Sequence, residues 1–221
     1  MSRRVVIAAL FVTSLALGGC GDEEPVPQVP MLRPATVNDL VGPWQATPFL
    51  LDPALRARIE QACRRDIEMP PGSVAAVVDV RGASVATIRM TGQTPGSCDA
   101  LEVTNRGEAV GAGGGWRQDQ PEPLPPIGPR ELGGIERQTV QGGSLTVKGW
   151  SVYGRVGNAV RIVGVEPQNG PPLVATLENG WFAAWWPVQP GDPNMDEGRQ
   201  PRVLVRAYDA FGATLDEAIS E

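Results

Sequence analysis

The side chains that usually carry enzyme chemistry are sparse in this chain of 221 residues. There is no histidine, which removes Ser-His-Asp and Cys-His catalysis, His-ligated zinc and imidazole proton shuttling together. Lys148 is the one lysine, and it lies four residues after Ser144. In a strand both would share a face, as a Ser-Lys dyad needs. Leu145 and Val147 would then take the inward side and leave the ammonium in water, where it is not activated. The acidic pairs Glu23-Glu24, Asp196-Glu197 and Asp216-Glu217 do not resemble a glycosidase pair, whose carboxyls face each other across a cleft at about 5 to 9.5 Å.

Asp192, Asn194 and Asp196 match the first oxygen-ligand positions of a calcium loop, D-x-N-x-D. Glu197 stands where that loop turns on glycine, and Val203 replaces its bidentate glutamate, so a solvated acidic loop is expected instead of a metal. Residues 111–116, GAGGGW, break the G-x-G-x-x-G phosphate pattern at Trp116 and precede no helical period. They read as a flexible strand exit. No catalytic, cofactor-binding or metal-binding residue is therefore assigned.

The most informative local pattern is aromatic. Asn179-Gly180 is a strong two-residue hairpin signal, because both residues tolerate positive φ. It places Leu177 opposite Phe182, Ala175 opposite Ala184 and Leu173 opposite Trp186, as one apolar surface. Trp181 and Trp185 fall on the other face with Thr176 and Glu178, about 13 Å apart at 3.3 Å per residue. Two readings follow: a platform on which Trp181 and Trp185 stack sugar rings while Glu178 bonds their hydroxyls, or packing under a second sheet or the N-terminal domain.

The elements that must position these residues are mostly strands. Asp52-Pro53 starts a helix, with the carboxylate as cap and proline at the first helical position; Leu55, Ile59, Ala62, Cys63 and Ile67 line one face. Strand-type runs follow at 74–80, 84–90, 101–104 and 109–111, with turns at Arg81-Gly82 and Arg106-Gly107. Residues 37–116 thus read as an α+β unit, a helix on an antiparallel meander. Residues 117–130 hold five prolines and read as a linker. Residues 131–221 read as β-rich, with strands at 145–153, 159–165, 173–177, 181–186 and 203–208. The expected class is mainly β with one helix.

Arg3 and Arg4 precede the apolar run 5–17, which is shorter than the roughly 20 residues a bilayer-spanning helix needs. The run ends in Leu17-Gly18-Gly19-Cys20, which resembles the lipobox of bacterial lipoproteins. The resemblance implies a signal peptide at 1–19, cleavage before Cys20 and lipid on its sulfur, with more than one acyl chain for stable anchoring. Residues 20–36 would then be a lipidated tether, of which 22–36, with four prolines, would span up to about 45 Å at 3.1 Å per residue. Ser2-Arg3-Arg4 also looks faintly like a twin-arginine signal, which leaves the export route open. With Cys20 lipidated, Cys63 and Cys98 remain as a pair in an oxidising compartment, where one disulfide is expected. A reactive thiol pair would need the close Cys-x-x-Cys spacing.

The segment 152–215, with V-x-G-x-V, the NGWF hairpin and an A-x-D-A-x-G ending, resembles a bacterial immunoglobulin-like module. It also looks like secreted proteins of high-GC Gram-positive bacteria, a likeness that the Arg-over-Lys bias fits. Such modules share no catalytic residues, so the resemblance transfers none. The acidic insertion between Trp186 and Arg202 and the small number of strands depart from a seven-stranded sandwich. A net charge of −6 opposes nucleic-acid binding. The expected function is a lipid-anchored, extracytoplasmic, non-enzymatic binding module without cofactor, with cell-wall glycan or an envelope protein as partner. The alternatives are a carboxylate-dependent cell-wall hydrolase and a structural spacer.

Overall fold

The computed structural model describes residues 32, 34–36, 43–67, 72–82, 86–91, 96–99, 102–103, 109–110, 113–116, 124–141, 148–189, 191–192, 194 and 199–220. The expected signal peptide, Cys20, most of the expected tether, Ser144 and Asp196 lie outside them. The helix α1 (Pro53–Asp66) begins as its sequence dictates: Asp52 Oδ1 accepts from the backbone N–H of Ala54 and Leu55 at 2.8 and 3.0 Å. Arg64 and Arg65 occupy its last turn, where positive charge offsets the helix dipole. Its buried face, Leu55, Ile59, Ala62 and Cys63, packs on Val78, Val80 and Cys98.

The strands, all antiparallel within their sheets, are β1 (Val74–Val80), β2 (Ala86–Thr91), β3 (Gly96–Asp99), β4 (Glu102–Val103), β5 (Ala109–Val110), β6 (Gly113–Trp116), β7 (Leu132–Gln141), β8 (Lys148–Val156), β9 (Ile162–Pro167), β10 (Leu173–Val174), β11 (Thr176–Glu178), β12 (Trp181–Pro187), β13 (Val203–Tyr208) and β14 (Thr214–Ser220). Among the described residues they form sheets in the orders β1-β2-β3-β6, β11-β12-β8-β7 and β10-β9-β13-β14, with β4-β5 as a separate ribbon. The last two four-stranded sheets are a sandwich around Trp150, Phe182, Trp186, Val163, Val165, Val203 and Val205.

The chain is therefore mainly β with one helix, as the sequence implies, but several strands differ from expectation. Gly113–Trp116 is the edge strand β6, not a loose exit; glycines cover no face, so their pairing is invisible to side-chain alternation. Strands β3, β7 and β14 were not expected either. In β7 the bulge between Gly133 and Glu136 breaks the period of two on which such readings rest. Part of the expected tether is docked, since Pro34 bridges Leu50 and the Ala35 N–H donates to Leu50 O at 2.9 Å. The described end of the Pro-rich segment is also pinned: the N–H groups of Gly157 and Ala159 donate to the carbonyls of Glu131 and Pro129 at 2.9 and 2.8 Å.

The run 173–177 is not one strand. Leu177 opposes Phe182 as expected, but Leu173 opposes Val165 of the other sheet instead of Trp186. The change of sheet comes at Ala175, whose N–H donates to Val163 O at 2.9 Å. All six apolar residues still reach the shared core, because a crossing strand presents the same face to the interior of a sandwich from either sheet.

Strand β1 joins the two halves of the molecule. A bulge between Ala75 and Val77 turns Ala76 and Val77 onto Tyr153, Trp181 and Ala183, while Val78 and Val80 face the helix. The helix, the β1 sheet and the two sandwich sheets thus stack in sequence.

Candidate functional site

Trp181 and Trp185 alternate onto one face of β12, as their spacing implies, but they form no open platform. They are 7% and 1% exposed, because the N-terminal unit covers that face. Trp181 packs with Ala76, Val77 and Tyr153. Trp185 meets Trp44 edge-on at a centroid distance of 6.3 Å, and the Trp44 indole N–H donates to Trp185 O at 3.1 Å. Glu178 is likewise occupied: its Oε2 accepts from the Arg56 guanidinium at 2.6 Å and from the Val78 N–H at 3.1 Å. Of the two sequence readings, the covered face is the one observed. Partial burial opposes the positive charge of Arg56, but its bonds to Glu178 and Glu60 outweigh this and hold the guanidinium above its ordinary value.

A fully buried polar cluster under this interface escaped the sequence reading. Asp79 and Arg81 are both 0% exposed and are joined at 2.7 Å. Arg81 lies in the β1–β2 connection, as expected, but its side chain turns inward, and its guanidinium donates to the carbonyls of Ala46 and Val174. Asp79 accepts from Thr176 Oγ1 at 2.6 Å and from the Trp185 N–H at 3.1 Å. Continuing the register of Thr176 with Ala183 puts Val174 opposite Trp185, so these two backbone groups are ladder partners that the strand crossing at Ala175 separates. The ion pair stands between them and satisfies both, as buried backbone groups require.

The expected bridge is present: Cys63 and Cys98 are disulfide-bonded with Cα atoms 5.9 Å apart, and both are fully buried. Asp192, read as part of a solvated loop, is instead buried and accepts from the Trp150 indole N–H at 3.2 Å and from the Asn194 N–H at 3.0 Å. Among the described residues no group of acidic or cysteine side chains is placed to hold a metal.

An open cleft lies at the hairpin end of the same sheet. It has a volume of about 400 Å³ and is lined by Ile127, Pro129, Arg155, Asn158, Asn179 and Trp181, together with Val156, Gly157 and Gly180. The hairpin is built as its sequence demands, with φ of 50° at Asn179 and 76° at Gly180. Arg155 is the direct cross-strand neighbour of Trp181, so both emerge where the cover over Trp185 and Tyr153 ends. Its guanidinium is steadied by Pro125 O, and the Asn179 amide donates to Ala76 O at 3.0 Å. The exposed Asn158 completes a wall of amide and guanidinium groups beside apolar Ile127, Pro129 and the Trp181 edge. Arg155 and Asn158 were not legible as site residues, since only the pairing of β8 with β12 brings them to the hairpin.

Gly157 holds the cleft's floor. A Cβ there would overlap Gly128 O and the Pro129 carbonyl, both backbone atoms that cannot swing away. Gly157→Ala is expected to lower stability by about 1–3 kcal/mol and to speed proteolysis within 124–130. A thermal melt with a limited digest checks this; an unchanged melt and digest would show that the segment does not rest on Gly157.

The chain matches no protein-family model, no curated protein and no solved structure.

Proposed function

We propose that the chain is an exported protein, anchored by lipid on Cys20, that works outside the cytoplasm as a non-enzymatic binding module at the cell envelope. The observation that carries the location is the buried bridge between Cys63 and Cys98, because disulfides persist in oxidising compartments and are rare where thiols are kept reduced. Leu17-Gly18-Gly19-Cys20 supplies the membrane attachment. A binding role is supported by the cleft beside Trp181, whose lining among the described residues carries hydrogen-bonding groups and an apolar wall without a carboxylate. A hydrolase acting through acids alone needs two of them across one cleft. The buried acids have other work: Asp79 and Asp192 are each taken up by internal hydrogen bonds. Cell-wall glycan is the favoured partner, an envelope protein the other.

The location is tested by expressing the full chain in bacteria grown with radiolabelled palmitate. The expected result is labelled protein in the membrane fraction and loss of label, with accumulation of the unprocessed form, for Cys20→Ser. A wild-type chain without label, or a Cys20→Ser chain labelled equally, would remove the anchor. The binding role would fall if purified protein cleaved cell-wall glycan at a rate abolished by a single carboxylate substitution.

A further inference from the structure

We propose that the cleft beside Trp181 binds a carboxylate-bearing sugar residue of a glycan. This rests on the reading of the chain as a binding module and names the ligand class of that site. The volume, about 400 Å³, falls within the range of small-ligand sites.

Three features of the lining select the ligand. Among the described residues Arg155 is held by one hydrogen bond, to Pro125 O, and a guanidinium has five donors in a planar fork. Its remaining donors match the two oxygens of a carboxylate, a geometry in which arginine binds with both arms. The carboxamides of Asn158 and Asn179 line the same space. One N–H of the Asn179 amide is taken by Ala76 O, which leaves its oxygen to accept and a second N–H to donate, and Asn158 offers both donor and acceptor. Sugar hydroxyls, which donate and accept, fit that mixture. Ile127, Pro129 and the Trp181 edge give apolar surface for the C–H face of a ring. A bare inorganic anion would use only the donors and leave the amide oxygens and the apolar wall idle, and a purely apolar ligand would desolvate the spare polar groups of Arg155, Asn158 and Asn179 without replacing their water. A sugar acid uses all of them.

The test is calorimetric titration of the full chain in mild detergent with glucuronate, glucose, acetate and inorganic phosphate as probes. Glucuronate is expected to bind saturably and at least about tenfold more tightly than glucose, acetate or phosphate, since a hydrogen bond to a charged group is worth that factor or more. Arg155→Gln should remove the preference for glucuronate over glucose. Asn158→Asp, a change at an exposed residue, should weaken glucuronate about tenfold more than it weakens glucose, because it sets like charge against the carboxylate that glucose lacks. Equal affinity for glucuronate and glucose would overturn the proposal, as would no saturable heat or full affinity in Arg155→Gln protein whose melt is unchanged. Phosphate or acetate binding as tightly as glucuronate would overturn it too, showing a simple anion site. Palmitate labelling at Cys20 is independent of every one of these outcomes, so failure of the sugar site and failure of the envelope reading are separable.

Discussion

Replacing Asp79 by alanine is expected to lower the unfolding free energy by about 3–5 kcal/mol, the cost of leaving a buried charge without its counterion. Arg81 has no exposed surface and no route to water short of separating the two halves of the molecule. The loss does not end with the charge. The carboxylate also accepts from Thr176 Oγ1 and from the Trp185 N–H, so alanine strands a hydroxyl and a backbone donor as well. Against a total stability of typically about 5–15 kcal/mol, this is a large fraction. Guanidinium titrations of the wild type, Asp79→Asn, Arg81→Met and the double variant would apportion it. Each single change should be severe, and the double change should cost clearly less than the sum, since each partner's charge is harmful chiefly without the other. The double replacement is not expected to become neutral, as apolar replacement can at buried ion pairs elsewhere, because the carbonyls of Ala46 and Val174 would lose the guanidinium. A single-variant loss below about 1 kcal/mol would mean that water reaches the pair.

Replacing both bridging cysteines, Cys63→Ala with Cys98→Ala, is expected to cost about 4 kcal/mol. The bond spans a sequence separation of 35, and closing a loop of that length removes about this much free energy from the unfolded chain in the entropy model. Alanine keeps the site apolar next to Ile59, Val78 and Val80, so the loss would be that of the cross-link and a small cavity. Chemical denaturation with and without reductant should show the same difference in the wild type and none in the double variant. A loss below about 1 kcal/mol would show that loop 63–98 is already constrained by its other contacts.

Much of the architecture was legible because it rests on local chemistry. The cap at Asp52, the turn at Asn179-Gly180 and the alternation along β12 each need only neighbours in sequence. What covers a sheet face is not local. The spacing of Trp181 and Trp185 put both on one side of β12, but only the bulge in β1 and the approach of Trp44 decide that this side is closed. The same holds for the candidate site, whose Arg155 and Trp181 meet through the register of β8 on β12. Asp79 carried a visible signal, an acid inside the apolar run of β1, whose meaning depended on a strand break almost a hundred residues further along.

That separation also fixes an order of events in time. During synthesis the N-terminal unit emerges first, and Asp79 and Arg81 stay hydrated until residues 174–185 arrive, because the partners that complete the cluster, Val174, Thr176 and Trp185, lie 93 to 106 positions downstream. Contacts of such long range make folding slow. The helix and β1 sheet therefore wait, with an unburied charge pair on one side, for the last third of the chain to close over them, and a chain cut short before Trp185 has no finished state to reach.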